Sequence, residues 1–161
     1  MALIYAIDQG TSSTRVLVFK ASDWQVISQH QLEFNSIYPD EGWCEQDPLM
    51  ILQTVKDCIS GVTEDILSKG YKLDQVKAIG ITNQRETTVA WHKTSGIPLH
   101  NALVWHDART KAIVDEIVKN SGEKGLNIIR DDCGLPVSTY FSASKVFVLH
   151  LPYLNKIAKN Y

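Results

Sequence analysis

The chain has 161 residues, of which 44% are hydrophobic and 21% charged, and its formal net charge is -2. This composition is typical of a globular domain with a core, and it excludes a disordered tail, a collagen-like fibre and a coiled-coil rod. Because the charge balance is near neutral, we expect no binding to nucleic acid or to an anionic membrane surface.

The three cysteines, Cys44, Cys58 and Cys133, cannot all pair, and their spacing does not match a metal site. The default expectation is therefore a reducing compartment. The sequence contains no run of about 20 apolar residues, so we predict no membrane-spanning helix. The apolar start at residues 2–7 stops at Asp8, which favours a buried first strand over a signal peptide.

Three short strands are predicted at the start of the chain, at residues 2–7, 14–20 and 25–34. Turn-forming residues separate them, first at 10–13 and then at 22–23. Consecutive strands with tight turns favour an antiparallel meander.

A well-delimited helix follows this meander. Asp47 is suited to cap it, Pro48 stands at its first position, and Gly70 is suited to end it. Apolar residues at spacings of three and four predict one buried stripe, made of Leu52, Val55, Ile59, Val62 and Ile66.

The second half of the chain mixes strands and helices. Strands are predicted at 76–81 and 87–91, and a turn at 93–96. A helix follows Asp107, with an apolar face formed by Ile113, Val114, Ile117 and Val118. A weaker helix is predicted at 124–133, and another at 142–151 that Pro152 should limit. The order β-β-β-α-β-β-α predicts an α/β fold, with a mixed sheet and flanking helices.

The first candidate for chemistry is the turn between the first two strands. Gly10 allows a close backbone approach, and the hydroxyls of Thr11, Ser12 and Ser13 can surround phosphoryl oxygens. Asp8 can hold hydrated Mg²⁺, and Arg15 adds positive charge. The segment lacks the Gly-Lys-Ser/Thr ending of a Walker loop. A polar β-turn with a solvent-facing Asp is an equally good interpretation of the spacing alone.

Several segments, in the same order along the chain, resemble the FGGY family of carbohydrate kinases. Asp8–Arg15 looks like the phosphate loop of the wider superfamily of sugar kinases, heat-shock proteins and actin. The string 42–48 resembles a signature of the family, and 80–88 is similar to the segment typical of its glycerol kinases. The strings 104–110 and 134–142 match the segments that follow.

The resemblance implies a ribonuclease H-like N-terminal kinase domain and ATP-dependent phosphorylation of glycerol with Mg²⁺. It implies that Asp8 organises the metal and that Thr11, Ser12, Ser13 and Arg15 bind the phosphates of ATP, with Thr11 also near the substrate. It further implies a homo-oligomeric enzyme in the cytoplasm, and peripheral association with the mitochondrial outer membrane is known in this family.

The glycerol site implied by the resemblance consists of Arg85, Glu86, Trp105 and Tyr140, with Thr11 near them. On spacing alone, Arg85 and Glu86 are more typical of a surface ion pair, and Trp105 of ordinary core packing. Tyr140 is equally consistent with a half-buried loop residue. Asp107 either caps the following helix, which its position favours, or reaches the active site, whereas Arg109 is predicted to be structural.

The family's catalytic base is an Asp well downstream of the matched segments. The resemblance therefore implies that this Asp lies beyond Tyr161, and we expect no catalytic base within residues 1–161.

The domain predicted from the motifs spans 1–145. Residues 146–161 depart from the expected Trp-containing helix and predict a divergent tail, from truncation or an alternative end. The alternatives are a non-catalytic chain that acts through binding or oligomerisation, another FGGY sugar kinase, and an actin-like or chaperone nucleotide switch.

Overall fold

The computed structural model describes the backbone of residues 1–158 and the side chains as far as His150. Four strands, β1 (Leu3–Gln9), β2 (Ser13–Lys20), β3 (Val26–Glu33) and β5 (Val76–Asn83), form a sheet in the order β3-β2-β1-β5. The pairs β1–β2 and β2–β3 are antiparallel, whereas β5 runs parallel to β1. The predicted meander and the predicted mixed sheet are therefore confirmed.

Helix α1 (Pro48–Ser68) begins and ends as its sequence predicts. The backbone N–H of Leu49 donates to Asp47 Oδ1 at 2.8 Å, which satisfies one of the free donors of the first turn. After the helix, Gly70 has φ +85°, a left-handed conformation that glycine adopts without a Cβ clash.

The core of this sheet forms where one face of β1 and β2 meets α1. It contains Leu3, Tyr5, Ile7, Val16 and Val18 from the strands, and Cys58, Val62 and Ile66 from the helix. The predicted stripe is wrong at its first member, because Leu52 is 48% exposed. The buried face of α1 instead starts at Thr54, whose hydroxyl shares a 2.8 Å hydrogen bond with that of Thr14. Hydrophobicity alone does not reveal such a polar pair at the edge of a core.

The chain divides into two compact units. The first, residues 1–36 and 47–84, contains the four-stranded sheet and α1. The second, residues 37–46 and 85–161, contains β4 (Glu45–Gln46), β6 (Ala102–Leu103), α2 (Lys111–Asn120), α3 (Arg130–Cys133) and α4 (Ser142–Ala158). Within it, β4 and β6 pair antiparallel, with Glu45 opposite Leu103.

Three predicted elements differ from the structure, all of them in the second unit. Residues 87–91 form no regular strand and make only single bridges, Thr88 to Leu103 and Trp91 to Pro98. The helix predicted at 124–133 is a 3₁₀ segment (Gly122–Asn127), interrupted at Gly125 with φ +49°, followed by the single-turn α3. Helix α4 continues past Pro152, so the predicted limit at this residue is wrong. A proline removes one backbone hydrogen bond and can kink a helix without ending it.

No helix in the described part of the chain is long and apolar enough to span a membrane. The domain boundary predicted at residue 145 stays a prediction. The last residues of the predicted tail, 159–161, lie outside the described residues. The expectation that the catalytic Asp lies beyond Tyr161 also stays a prediction.

Candidate functional site

The candidate phosphate site is the hairpin that joins β1 to β2. The N–H of Gly10 donates to the carbonyl of Ser13 at 2.9 Å and closes the turn. A Cβ at position 10 would lie 3.2 Å from that carbonyl oxygen, so the turn is tight enough to favour glycine. Ser12 is exposed at the tip, and Thr11 and Ser13 are half-buried.

Neighbouring backbone and side chains brace this hairpin within the first unit. The carbonyl of Ser12 accepts from the N–H of Phe34 at 3.1 Å. The buried Gln9 donates from Nε2 to the carbonyl of Gly10 at 2.8 Å, and Gln84 Nε2 lies 3.4 Å from Gln9 Oε1. Sequence reasoning did not identify this glutamine pair, because its members are 75 residues apart.

Asp8 and Arg15 are cross-strand partners in the β1–β2 register. Arg15 Nη2 donates to Asp8 Oδ2 at 3.1 Å, and both side chains are more than 40% exposed. Arg15 Nε is buried and has no hydrogen-bond partner among the described residues. The pair therefore presents an accessible carboxylate and a guanidinium with an unused donor beside a loop of hydroxyls.

The donor set at Asp8 fits a hydrated Mg²⁺ and does not fit a closed protein cage. In the described part of the chain, no group of three or more His, Cys, Asp or Glu side chains is placed to hold a metal. Mg²⁺ retains several waters and typically takes one or two carboxylates together with phosphate oxygens. A single accessible carboxylate beside a hairpin rich in hydroxyls is consistent with that mode.

Glu86 lies in the second unit and has an unusual backbone. Its φ is +64°, a conformation that costs an L-residue about 1–2 kcal/mol. The N–H and the hydroxyl of Ser142 donate to Glu86 Oε2 at 2.7 and 2.8 Å. These hydrogen bonds lower the pKa of Glu86 and outweigh partial burial, which acts in the opposite direction. Strain at a residue held by specific contacts is characteristic of a functional position.

The second unit also contains two aromatic side chains that contact each other, Trp105 and Tyr140. The rings of Trp105 and Tyr140 have centroids 5.9 Å apart in an edge-to-face arrangement. Both residues are half-buried, so Trp105 is not an ordinary core residue. The N–H of Trp105 also donates to Thr87 Oγ1 at 3.2 Å. The second unit therefore brings together Glu86, Trp105 and Tyr140, which are far apart in sequence.

Arg85 is exposed, and its positive charge adds to the effects that lower the pKa of Glu86. The carboxylate of Glu86 accepts its hydrogen bonds from Ser142, and among the described residues it forms no ion pair with Arg85, so the surface ion pair favoured by the spacing is wrong. An exposed guanidinium next to an anchored carboxylate offers hydrogen-bond donors and acceptors at adjacent positions of the chain.

Lys145 is a buried cation that sequence reasoning passed over. Its side chain is fully buried, and Nζ donates to the carbonyls of Thr139 and Tyr140, each at 2.7 Å, and of Trp105 at 3.3 Å. Burial lowers the pKa of Lys145, while the charges of Asp107 and Glu86 act in the opposite direction. The only signal in the sequence was a lone lysine at the start of an apolar helix.

The helix-cap prediction for Asp107 is wrong, because the N-terminal cap of α2 is Thr110. Asp107 is fully buried and accepts from the N–H of Cys44 at 2.6 Å and from Arg109 Nη2 at 2.8 Å. Arg109 also lies 2.8 Å from Glu45 and stacks over the ring of Trp43 at 3.9 Å. Arg109 therefore has the structural role predicted for it, at the centre of a buried ionic network.

Curated glycerol kinases are similar to this chain along most of its length. The chain is 47% identical over 148 residues to a glycerol kinase of Arabidopsis thaliana. It is 43% identical over 146 residues to a probable glycerol kinase of Caenorhabditis elegans. Each comparison covers 91% of this chain but only 28–29% of the relative, so the chain spans less than a third of these proteins.

A solved structure shows the same fold. The crystal structure of Plasmodium falciparum glycerol kinase with ADP superposes with a TM-score of 0.83 at 33% identity, covering 94% of this chain and 29% of that protein. This likeness, together with the mixed sheet, confirms the expected ribonuclease H-like fold. Residues 3–153 match the N-terminal domain of the FGGY family of carbohydrate kinases, and the chain belongs to that family.

Proposed function

We propose that this chain supplies the glycerol-binding and phosphate-binding residues of an ATP-dependent glycerol kinase. The observation that carries the proposal is the anchored carboxylate of Glu86, held by Ser142 in the same unit as the Trp105–Tyr140 pair. The identities of 43% and 47% with glycerol kinases favour glycerol among the substrates of the family.

We call Arg85, Glu86, Trp105 and Tyr140 the polyol site. Each of these residues has a distinct role in this proposal. Glu86, ionised because its pKa is lowered, accepts hydrogen bonds from glycerol hydroxyls. Arg85 donates to a hydroxyl oxygen, and Tyr140 donates or accepts through its phenol. Trp105 places an apolar ring against the carbon chain. An alcohol lacking one hydroxyl would leave a polar group unpaired, which gives the site its specificity.

The hairpin residues serve the phosphates of ATP. Thr11, Ser12 and Ser13 offer hydroxyls and backbone N–H groups, and the partly exposed guanidinium of Arg15 adds positive charge. Asp8 would hold Mg²⁺, which neutralises phosphate charge when bound. These assignments rest on the hairpin geometry and on the family resemblance.

In the reaction, a terminal hydroxyl oxygen of glycerol bonds to the γ-phosphorus of ATP, and the bond from that phosphorus to the β,γ-bridging oxygen breaks. ADP leaves, and the hydroxyl proton passes to a base. We assign no residue of 1–161 as that base, in keeping with the sequence-based expectation of an Asp beyond Tyr161. A homo-oligomeric state and a cytoplasmic location also remain predictions.

A non-catalytic chain that acts through association is the second candidate, and one observation favours it. Strand β5 stands at the edge of its sheet, with Ile79 56% and Ile81 74% exposed. Another polypeptide can pack against an exposed apolar strand at the edge of a sheet and bury it.

The first test is glycerol binding by the purified chain, measured by isothermal titration. We expect saturable binding that weakens by about tenfold or more in Arg85→Ala, equivalent to about 1.4 kcal/mol. Arg130→Ala is the matched control, because Arg130 is also an exposed arginine of the second unit, and it should bind as the wild type does. Absence of saturable binding, or equal binding by Arg85→Ala, contradicts the glycerol proposal.

The second measurement is ATP-dependent formation of glycerol 3-phosphate by the same proteins. We expect no turnover from the 161-residue chain, since no residue is assigned as the base. Turnover that disappears in Arg85→Ala would support the glycerol site and would show that the expected downstream Asp is dispensable. Glycerol binding without turnover fits the proposal as stated. If the chain shows no glycerol binding and no turnover, the result favours the association candidate.

A further inference from the structure

We propose that Lys145 is a positioning residue of the polyol site, whose buried ammonium holds the backbone segments that carry Trp105 and Tyr140. This inference rests on the proposed function, because the segments it holds are those assigned to glycerol.

The hydrogen bonding of Lys145 carries the inference. An ammonium group has three N–H donors, and a buried one is costly unless all of them are paired. Lys145 Nζ has three carbonyl partners, those of Thr139 and Tyr140 at 2.7 Å and that of Trp105 at 3.3 Å. The buried cation therefore joins two loop segments, one at Trp105 and the other at Thr139 and Tyr140.

The partners of Lys145 are carbonyls, which distinguishes it from a buried ion pair. Asp107 and Glu86 are close enough for their charges to favour the protonated form of Lys145. The hydrogen bonds of Nζ nevertheless go to backbone oxygens. A cation placed to neutralise a carboxylate would direct its donors at that carboxylate. This one directs them at the backbone beside two aromatic rings.

The first turn of helix α4 thus holds three of the residues proposed to bind glycerol, which are Glu86, Trp105 and Tyr140. Ser142 anchors the carboxylate of Glu86, and Lys145, three residues later, anchors the backbone at Trp105 and Tyr140. Residues three apart lie on the same face of a helix, so one face supports both parts of the site. A shift at Lys145 would change the geometry of the two rings, whose centroids are 5.9 Å apart.

The test compares Lys145→Met with Ser144→Ala in chains labelled with 5-fluorotryptophan. Methionine keeps a long apolar stem and removes the donors. Ser144 is the neighbouring residue of α4, and its hydroxyl contacts that of Thr110 at 3.0 Å without touching the carbonyls of Trp105 or Tyr140. The Trp105 resonance is identified by its loss in Trp105→Phe.

We expect the fluorine resonance of Trp105 in Lys145→Met to shift or broaden while that of Trp24, in the first unit, stays in place. Glycerol affinity should fall by about tenfold or more in Lys145→Met and stay within about twofold in Ser144→Ala. A folded Lys145→Met protein with an unchanged Trp105 resonance and unchanged glycerol affinity overturns the proposal. Equal perturbation by Ser144→Ala also overturns it, because the effect would then be general loosening of α4.

A measurement on the wild-type chain decides the case in which Lys145→Met does not fold. The ammonium of Lys145 should give a slowly exchanging ¹⁵Nζ resonance with scalar couplings to the carbonyl carbons of Thr139 and Tyr140. Rapid exchange without such couplings overturns the proposal. The fluorine and nitrogen readouts need no glycerol. If glycerol fails to bind the wild type, the proposed function fails while the anchoring by Lys145 is still judged by these spectra.

Discussion

The hairpin proposed to bind phosphate and the polyol site proposed to bind glycerol are built in different ways. The hairpin draws Asp8, Thr11, Ser12, Ser13 and Arg15 from eight consecutive residues, and cross-strand pairing places Asp8 opposite Arg15. The polyol site draws its residues from positions 85 to 140, and side chains of α4 hold Glu86, Trp105 and Tyr140 in place. A site made by local pairing depends on one turn, whereas a site assembled from distant loops depends on specific buried contacts.

The interiors of the two units show the same contrast. The core of the first unit is mainly aliphatic, with Leu3, Val16, Val18, Val62 and Ile66 fully buried. The second unit buries charged groups, which are Glu45, Asp107, Arg109 and Lys145. A buried charge that loses a hydrogen-bond partner keeps its desolvation cost without compensation, whereas an apolar core contains few groups that need such a partner. The second unit should therefore be more sensitive to loss of a single polar atom.

Asp107→Ala should have the largest effect on stability, and it tests how sensitive the second unit is to the loss of one buried charge. It removes one partner of a buried ion pair and leaves the Arg109 guanidinium with Glu45 alone, which typically costs about 3–5 kcal/mol. The measurement is the free energy of unfolding in urea. Asp115→Ala is the control, because Asp115 pairs with Lys111 at the surface, and it should cost about 0.5 kcal/mol or less. Similar losses in the two variants would show that the buried ion pair of the second unit contributes no more to stability than a surface pair.

Ile66→Ala should have the next largest effect, and Leu52→Ala is its matched control on the same helix and the same predicted stripe. Ile66 is fully buried, so its truncation should cost about 2–5 kcal/mol. Leu52 is 48% exposed, and its truncation should change the unfolding free energy by less than about 0.5 kcal/mol. Urea unfolding monitored by circular dichroism measures both. An equal loss at the two positions would restore the stripe predicted from the sequence.

Ser142→Ala should have the smallest effect, about 1 kcal/mol near neutral pH, and that effect should depend on pH. Hydrogen bonds from Ser142 lower the pKa of Glu86 in the folded state below its ordinary 4.5. Their contribution is complete above that unfolded pKa and is lost as the pH falls through the lower folded pKa. The stability difference between wild type and variant should therefore shrink on acidification.

The measurement for Ser142→Ala is a series of urea unfolding curves from neutral to acidic pH. Ser121→Ala is the control. The Ser121 hydroxyl donates to the backbone carbonyl of Ile117, a group that does not titrate. Its stability difference from wild type should not change with pH. A difference for Ser142→Ala that is constant across the series would contradict the anchoring of Glu86.

The regular elements of the first unit were predictable from local patterns. Alternating and continuous apolar runs indicated β1, β2 and β3, and the Asp47-Pro48 start and Gly70 end delimited α1. The weaker predictions lay in the second unit, where the strand at 87–91 and the helix at 124–133 proved irregular. There the backbone is held by long-range polar contacts, which leave no period in the sequence.

The sequence by itself determined the antiparallel meander, the capped helix and the position of the hairpin loop, because each depends on residues close together in the chain. Its motifs also named Glu86, Trp105 and Tyr140 as candidates. Only the tertiary structure decided that Ser142 anchors Glu86, that Asp107 binds Arg109 instead of capping α2, and that Lys145 directs its donors to the loop carbonyls. A buried polar group must find partners wherever the folded chain provides them, and those partners can lie many residues away.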